Sequence, residues 1–195
     1  MQNFILHELA QSEAVVAAMQ TDTILRSNIC AAGVCLVECF RAGGKVLLAG
    51  NGGSAADAQH IAAEFVSRLK FDREALPSIA LTTDSSVLTA IGNDYGFEKL
   101  FERQVSAHGR AGDVFIGITT SGRSPNVLRG FSRARSMGLR TIGLCGAQGI
   151  QDAGLCDIEL RMPSAETTKI QEGHIVVAHI LCGIVENTLF KPQHV

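Results

Sequence analysis

The chain has 195 residues, of which 46% are hydrophobic and 18% are charged, so it can bury one core without disulfides or metals. Its formal net charge of -2 disfavours nucleic acid as the main ligand, because nucleic-acid-binding domains usually present a basic surface. The N-terminus lacks the features of a secretory signal and no apolar run reaches the roughly 18 residues that span a bilayer, so we expect a cytoplasmic protein without a membrane partner.

Residues 3–42 show helical periodicity without strand character and predict two helices. Short β-like runs then alternate with helical stretches, which predicts an α/β fold in three layers, with a doubly wound, flavodoxin-like parallel sheet covered on both faces. We expect a single domain over residues 1–195, with an N-terminal helical section for oligomerisation at 1–42 and an α/β core at 45–195. The predicted strands are 45–49, 78–81, 114–118, 141–144 and 157–160, and the later helices are 54–70, 85–108, 125–137 and 168–190.

The last predicted helix, 168–190, is apolar on much of its surface. An apolar surface of that width would be unusual if it were exposed on a monomer, so we expect contact with a partner subunit. The six cysteines lie among apolar neighbours, as is typical of buried, reduced thiols. Cys35 and Cys39 stand at helical spacing, but no further ligand lies nearby in sequence, so a soft-metal pair is disfavoured.

The segment 50–54, Gly-Asn-Gly-Gly-Ser, follows an apolar strand and precedes a helix. Its glycines allow a tight turn that brings backbone N–H groups close to a ligand, and the helix N-terminus adds unpaired donors and a partial positive charge. We expect Ser54 to cap the helix, with Asp57 close to the partner position of a capping box. The segment therefore predicts an anion cradle, with a simple strand-to-helix turn as the alternative.

A dinucleotide site is a further alternative for the same segment. Gly50, Gly52 and Ala55 fit the G-x-G-x-x-A pattern, and Asp84 could serve as the acidic residue after the next strand. The short chain leaves little room for a separate substrate domain, so we disfavour this interpretation.

The segment 117–126 repeats the logic of the first loop, because it also follows an apolar strand and leads into a helix. Ser124 is expected at the N-cap and Pro125 at the first helical position. Hydroxyls and backbone N–H groups can bind phosphate oxygens without a formal charge. Since ligands of open α/β sheets gather at the carboxyl ends of strands, the two loops together predict a phosphate pocket, with a pair of ordinary polar turns as the alternative.

Two helices carry polar groups that suit metal or acid–base chemistry. His60 and Glu64 are four residues apart and share a helix face, so they could bind one zinc ion or form a solvated face with a Glu64–Arg68 pair. Gln171 and His179 are separated by about 80° and roughly 12 Å along the last helix. They therefore either pinch a ligand between them or act in different copies of a shared site.

Two other polar features are less specific. His174 lies about 140° around the helix from His179, and we expect it to be a satisfied core histidine. The segment 92–96 is predicted to be a third polar loop, whose carboxylate could meet sugar hydroxyls or belong to an ordinary turn.

The loops at 50–54 and 119–124, taken together, resemble those of the sugar isomerase (SIS) domain family. The similarity runs from the N-terminal helices through Asn93-Asp94 to the segment 169–172 and His179, and is strongest to the family's isomerases of seven-carbon sugar phosphates. It implies conversion of sedoheptulose 7-phosphate to D-glycero-D-manno-heptose 7-phosphate through an enediol, toward heptose for lipopolysaccharide or capsule. It also implies a homotetramer with intersubunit active sites. Thr119 stands where relatives commonly carry serine, which keeps the hydroxyl.

The resemblance also implies roles for individual residues. The implied Zn²⁺ ligands are His60, Glu64, Gln171 and His179, and the implied catalytic pair is Glu64 and His179. The implied substrate-binding residues are Asn51, Gly52, Gly53, Ser54, Glu64, Asn93, Asp94, Thr119, Thr120, Ser121, Ser124 and Gln171. Because a zinc-bound carboxylate is a weaker base, Glu64 either leaves the metal during turnover or acts only as a ligand.

Two functions other than catalysis share this fold. A sister branch of proteins that associate with the replication initiator is similar in sequence, but its members lack the metal-site glutamate. A sugar-phosphate sensor would keep both loops and need no base. The presence of Glu64, together with His60, Gln171 and His179, favours the enzyme.

Overall fold

The computed structural model describes residues 1–152 and 154–191, in which strands and helices alternate after an N-terminal helical pair. The helices are α1 (Gln2–Thr21), α2 (Thr23–Arg41), α3 (Gly53–Val66), α4 (Ser85–Tyr95), α5 (Leu100–His108), α6 (Pro125–Ser136) and α7 (Thr167–Phe190). The strands are β1 (Val46–Gly50), β2 (Ser78–Ala80), β3 (Val114–Thr119), β4 (Arg140–Cys145) and β5 (Ile158–Arg161).

The strands form one parallel sheet in the order β2-β1-β3-β4-β5. One face of the sheet packs against α2, α3 and α7, and the other packs against α4, α5 and α6. The predicted fold class, a doubly wound three-layer α/β sheet with N-terminal helices and a long C-terminal helix, is therefore confirmed.

The central strands β1 and β3 are buried along their whole length, as expected of parallel strands covered on both faces. Leu48 and Ile116 lie in the core beneath α2, α3 and α7, whereas Leu47 and Phe115 point to the opposite core. The two strands are paired in register up to Gly50 and Ile118. Their carboxyl ends therefore lie side by side, and the loops that follow them start from neighbouring points.

The predicted helix over 85–108 is interrupted, and the prediction of a polar loop at 92–96 is wrong. Helix α4 continues to Tyr95 and ends at Gly96, whose φ of +88° lies in the left-handed region that favours glycine. A 3-10 helix over Phe97–Lys99 then connects α4 to α5. Asn93 and Asp94 are therefore part of the last turn of a helix.

The predicted cap of α3 is also corrected by the structure. The N-cap is Gly52, with φ of +57°, so Ser54 lies inside the first turn. Asp57 does not complete a capping box, and its Oδ2 atom is buried with no hydrogen-bond partner within the described residues. Burial raises the pKa of this carboxyl group. Glycine at the cap lets the backbone turn two residues earlier than the serine predicts.

Helices α2 and α7 are more apolar than the sequence analysis allowed. Each contains an 18-residue window of mean hydropathy 1.4, which meets a length and composition criterion for crossing a membrane. Both helices contribute residues to the core against the sheet. A buried core helix has the same apolar composition as a membrane-spanning one.

The prediction of buried cysteines holds for three of the six, Cys39, Cys145 and Cys182, while Cys35 and Cys156 are half-buried. All six thiols are free, and Cys30 is the one that is exposed.

The buried His174 on α7 predicts a pH dependence of stability. The residue is fully buried, and burial lowers the pKa of the ring from 6.5 to about 4, against the opposing effect of the Cys145 backbone. As the pH falls below 6.5, the unfolded chain takes up a proton that the folded chain does not, so folding stability is lost down to about pH 4. The core location of His174 is as expected.

We expect His174→Leu to remove up to about 3 kcal/mol of the stability change across this pH window, because the substituted side chain does not titrate. Urea unfolding of parent and variant at a series of pH values between 7 and 4 measures the difference. Parallel pH profiles for the two proteins would contradict this expectation.

Candidate active site

The first loop turns so tightly that two of its three glycines, Gly50 and Gly53, have no room for a side chain. A Cβ atom on Gly50 would lie 2.5 Å from the carbonyl oxygen of Ser54, and one on Gly53 would lie 2.5 Å from Nε2 of Gln171. The exposed Gly52 and Gly53 begin α3, where the first N–H groups of a helix have no partner within it. The geometry is that of an anion site at a helix N-terminus.

The second loop lies at the end of β3 and is held by backbone contacts. Gly122 has φ of +68°, and a Cβ atom there would lie 1.8 Å from the carbonyl oxygen of Gly149, so glycine is required. Ser124 is the N-cap of α6 with Pro125 at the first helical position, as predicted. Its hydroxyl does not cap the helix but lies 2.9 Å from the hydroxyl of Thr119. The hydrogen bond between these two hydroxyl groups therefore joins the end of β3 to the start of α6.

The two loops are joined by a reciprocal pair of amides that the sequence analysis missed. The side-chain amide of Asn51 donates to Oδ1 of Asn126 at 2.8 Å, and Asn126 donates back to Oδ1 of Asn51 at 2.8 Å. Asn126 is 1% exposed and also accepts a hydrogen bond from the backbone N–H of Val127. In the sequence, the only signal for Asn126 is its position at the end of the segment 117–126. Asn126 therefore fixes the orientation of the side-chain amide of Asn51, which is a predicted substrate-binding residue.

Three of the predicted metal ligands converge within one chain. His60, Glu64 and His179 each offer a ligand atom, and these atoms all lie within 4.8 Å of one another. The Nε2 atoms of the two histidines are 2.9 Å apart, and Nε2 of His60 is 3.4 Å from Oε1 of Glu64. Two imidazoles and one carboxylate form a donor set that suits catalytic zinc with an open coordination position. The residues present therefore fit the implied metal.

The convergence follows from the way α3 and α7 run side by side in the same direction. Gln171 contacts Gly53 at the beginning of α3, and His179 contacts His60 two turns later. The seven residues from Gly53 to His60 advance about 10 Å along α3, and the eight from Gln171 to His179 advance about 12 Å along α7. Because these distances are similar, two parallel helices can make both contacts. Gln171 therefore borders the first loop, and its role as a fourth metal ligand stays a prediction.

The remaining predicted site residues lie in the second loop and on α4. Thr120 is half-buried and Ser121 is exposed, with its hydroxyl accepting a hydrogen bond from the N–H of Arg123 at 3.2 Å. Asn93 and Asp94 are exposed on α4 and bonded to each other at 2.8 Å. Within the described ranges, no hydrogen bond joins these two side chains to either loop.

The dinucleotide alternative loses its acidic residue. Asp84 caps α4 by accepting a hydrogen bond from the N–H of Val87 at 3.0 Å. Its carboxylate therefore serves as the N-cap of α4.

Comparison with known proteins identifies the family of the chain. The SIS domain family profile matches residues 9–146. A phosphoheptose isomerase from Burkholderia pseudomallei is 54% identical over 190 residues, covering 97% of this chain and 96% of the relative. Solved structures of phosphoheptose isomerases are also similar. The one from Neisseria gonorrhoeae has a TM-score of 0.89 at 40% identity, and the one from Francisella tularensis has 0.91 at 36%; each comparison covers 95% of this chain and 98% of the other. The chain therefore belongs to the SIS domain family and, within it, to the phosphoheptose isomerases.

Proposed function

We propose that this enzyme converts sedoheptulose 7-phosphate to D-glycero-D-manno-heptose 7-phosphate by aldose–ketose isomerisation through an enediol. The observation that carries the proposal is the convergence of His60 and Glu64, on the helix that begins at the first loop, with His179 on α7. A binding protein or a sensor would need the loops but not this cluster. Neither the initiator-associating branch nor a sensor is favoured by the comparisons.

The two loops would hold the phosphate of the substrate. The exposed backbone of Gly52 and Gly53 at the N-terminus of α3, together with the hydroxyls of Thr120, Ser121 and Ser124, would offer donors to phosphate oxygens without requiring a basic side chain. Binding energy from the phosphate, which does not react, orients the carbons that do. Gln171, Asn93 and Asp94 remain proposed contacts to the sugar.

Proton transfer is assigned to Glu64 and His179. Glu64 would remove the proton from the carbon next to the carbonyl group, and His179 would protonate the neighbouring oxygen or assist ring opening. Both side chains belong to rigid helices, so their positions relative to the phosphate loop are set before the substrate binds.

We propose Zn²⁺ as the cofactor, one per active site, held by His60, Glu64, His179 and Gln171. When bound, the ion would polarise a sugar oxygen as a Lewis acid. A carboxylate that binds the ion is a weaker base, so Glu64 carries two proposed roles that the variants below address.

We propose a cytoplasmic homotetramer with intersubunit active sites, formed by a single domain over residues 1–195 in which 1–42 serves oligomerisation. Apolar side chains exposed on α1 support this assembly, since a monomer would leave them in water: Phe4, Ile5, Leu6, Leu9 and Val16. The product would serve heptose biosynthesis for lipopolysaccharide or capsule.

Glu64→Gln and His179→Ala are each expected to lower kcat by at least about 10²-fold, because each removes a group that transfers a proton. The purified, metal-loaded parent is incubated with sedoheptulose 7-phosphate, and the aldose product is followed by NMR. Glu38→Gln is the matched control, since Glu38 is exposed on α2 and should leave turnover unchanged. An absence of aldose signal from the parent would overturn the proposed function, and undiminished turnover in both variants would overturn the assigned roles.

The chain purified without chelators is expected to contain about one zinc ion per active site, because the three converging side chains form a catalytic-type donor set. Elemental analysis of the parent measures the ion directly. His60→Ala should lose the metal, whereas His108→Ala, which removes an exposed histidine on α5, should retain it. A parent without stoichiometric metal would count against zinc.

Asn126→Ala is expected to raise KM about tenfold, because the amide of Asn51 loses its partner and its orientation toward the substrate. Steady-state kinetics measure the change. Asn28→Ala is the control, since it removes one amide hydrogen bond, to the carbonyl of Glu159, away from both loops. A KM within twofold of the parent would show that Asn51 is oriented without Asn126.

A further inference from the structure

A buried ion pair near the cluster has no role in the function proposed above. Nε of Arg73 lies 3.4 Å from Oε1 of Glu186, and the two side chains are 2% and 1% exposed. Removing two charges from water costs several kcal/mol per ion, and apolar replacements are often as stable. Stability alone is therefore a poor explanation for the pair.

Arg73 caps the C-terminal end of α3. Its guanidinium donates to the carbonyl of Glu64 at 2.7 Å, to that of Phe65 at 2.7 Å and to that of Glu74 at 2.8 Å. The last carbonyl groups of a helix have no partner within it, and a cation there also interacts favourably with the helix dipole. Arg73 thus bonds directly to the backbone of Glu64, the proposed base and metal ligand.

Glu186 ties the same region to α7. Its carboxylate accepts hydrogen bonds from the backbone N–H groups of Leu69 and Lys70, each at 3.0 Å. Glu186 follows His179 by seven residues, which is close to two helical turns, so the two side chains leave α7 on nearly the same face. The face of α7 that carries His179 is therefore the face that is anchored to the segment after α3.

We propose that Arg73 and Glu186 are a positioning pair that sets the spacing between α3 and α7, so that His60 and Glu64 on one helix meet His179 on the other. The pair touches neither substrate nor metal and acts through the backbone of Glu64 and the placement of α7. Its catalytic consequence rests on the proposed isomerase activity and its effect on metal binding rests on the proposed Zn²⁺ site, so the two are measured separately.

The test uses the full chain with three variants. Glu186→Gln weakens the anchor while keeping its shape, Arg73→Lys keeps the charge but loses the guanidinium's multiple hydrogen bonds, and the double variant Arg73→Met/Glu186→Met removes both charges together. Zinc affinity is measured by competition with a chromophoric chelator, and kcat and KM are measured with sedoheptulose 7-phosphate. We expect each variant to lose at least tenfold in zinc affinity and in kcat, with KM within threefold of the parent.

Two controls separate positioning from general destabilisation. Lys70→Ala changes an exposed side chain but keeps the N–H that Glu186 accepts. Gly130→Ala strains the other core, because its Cβ would lie 2.8 Å from a ring carbon of Phe115. Both should keep the zinc affinity of the parent. An equal loss of affinity in Gly130→Ala would overturn the proposal, since instability alone would then suffice.

The double variant gives the decisive outcome. If it folds and still binds zinc weakly, the pair positions the cluster, because apolar side chains restore packing but not the bonds to the carbonyl of Glu64. Parent-like zinc affinity and kcat in this variant would overturn the proposal, and so would its failure to fold, which would make the pair a general requirement for folding. A parent that binds zinc but shows no turnover would instead overturn the proposed function, and the affinities would still decide the positioning role.

Discussion

Strand order reverses between β1 and β3, and the helices that follow these neighbouring strands cross to opposite faces of the sheet. A crevice must open between the two connections, because α3 and α6 depart in opposite directions. Both glycine-containing loops begin at this crevice, since Gly50 and Ile118 are register partners. The crevice between the two loops is therefore a consequence of the topology, and the loop residues determine what it binds.

Helix α3 links binding to chemistry because it begins at the first loop and carries His60 and Glu64 further along. A second helix is needed to complete the cluster, and α7 supplies it by running beside α3 in the same direction. Gln171 then reaches the loop while His179 reaches His60. A change in the spacing of these two helices would separate His179 from His60 and Glu64 without altering any of the three side chains.

Features set by local rules were predicted well from the sequence. The strands, the two loops and the His60–Glu64 pair depend on apolar runs, glycine and helical spacing, which act over a few residues. Local rules also produced the errors. Ser54 is a good cap by residue type, but the left-handed Gly52 begins the helix earlier, and Gly96 ends α4 only after Asp94 has become helical.

By itself the sequence determined the fold class, the positions of both loops and the residue types suited to phosphate, metal and proton transfer, because periodicity and side-chain chemistry are local properties. Only the tertiary structure decided which of these groups meet. The partners in Asn51–Asn126, His60–His179 and Arg73–Glu186 lie far apart along the chain. No spacing rule predicts such contacts, since they arise from the order of strands in the sheet and from the packing of α7 on α3.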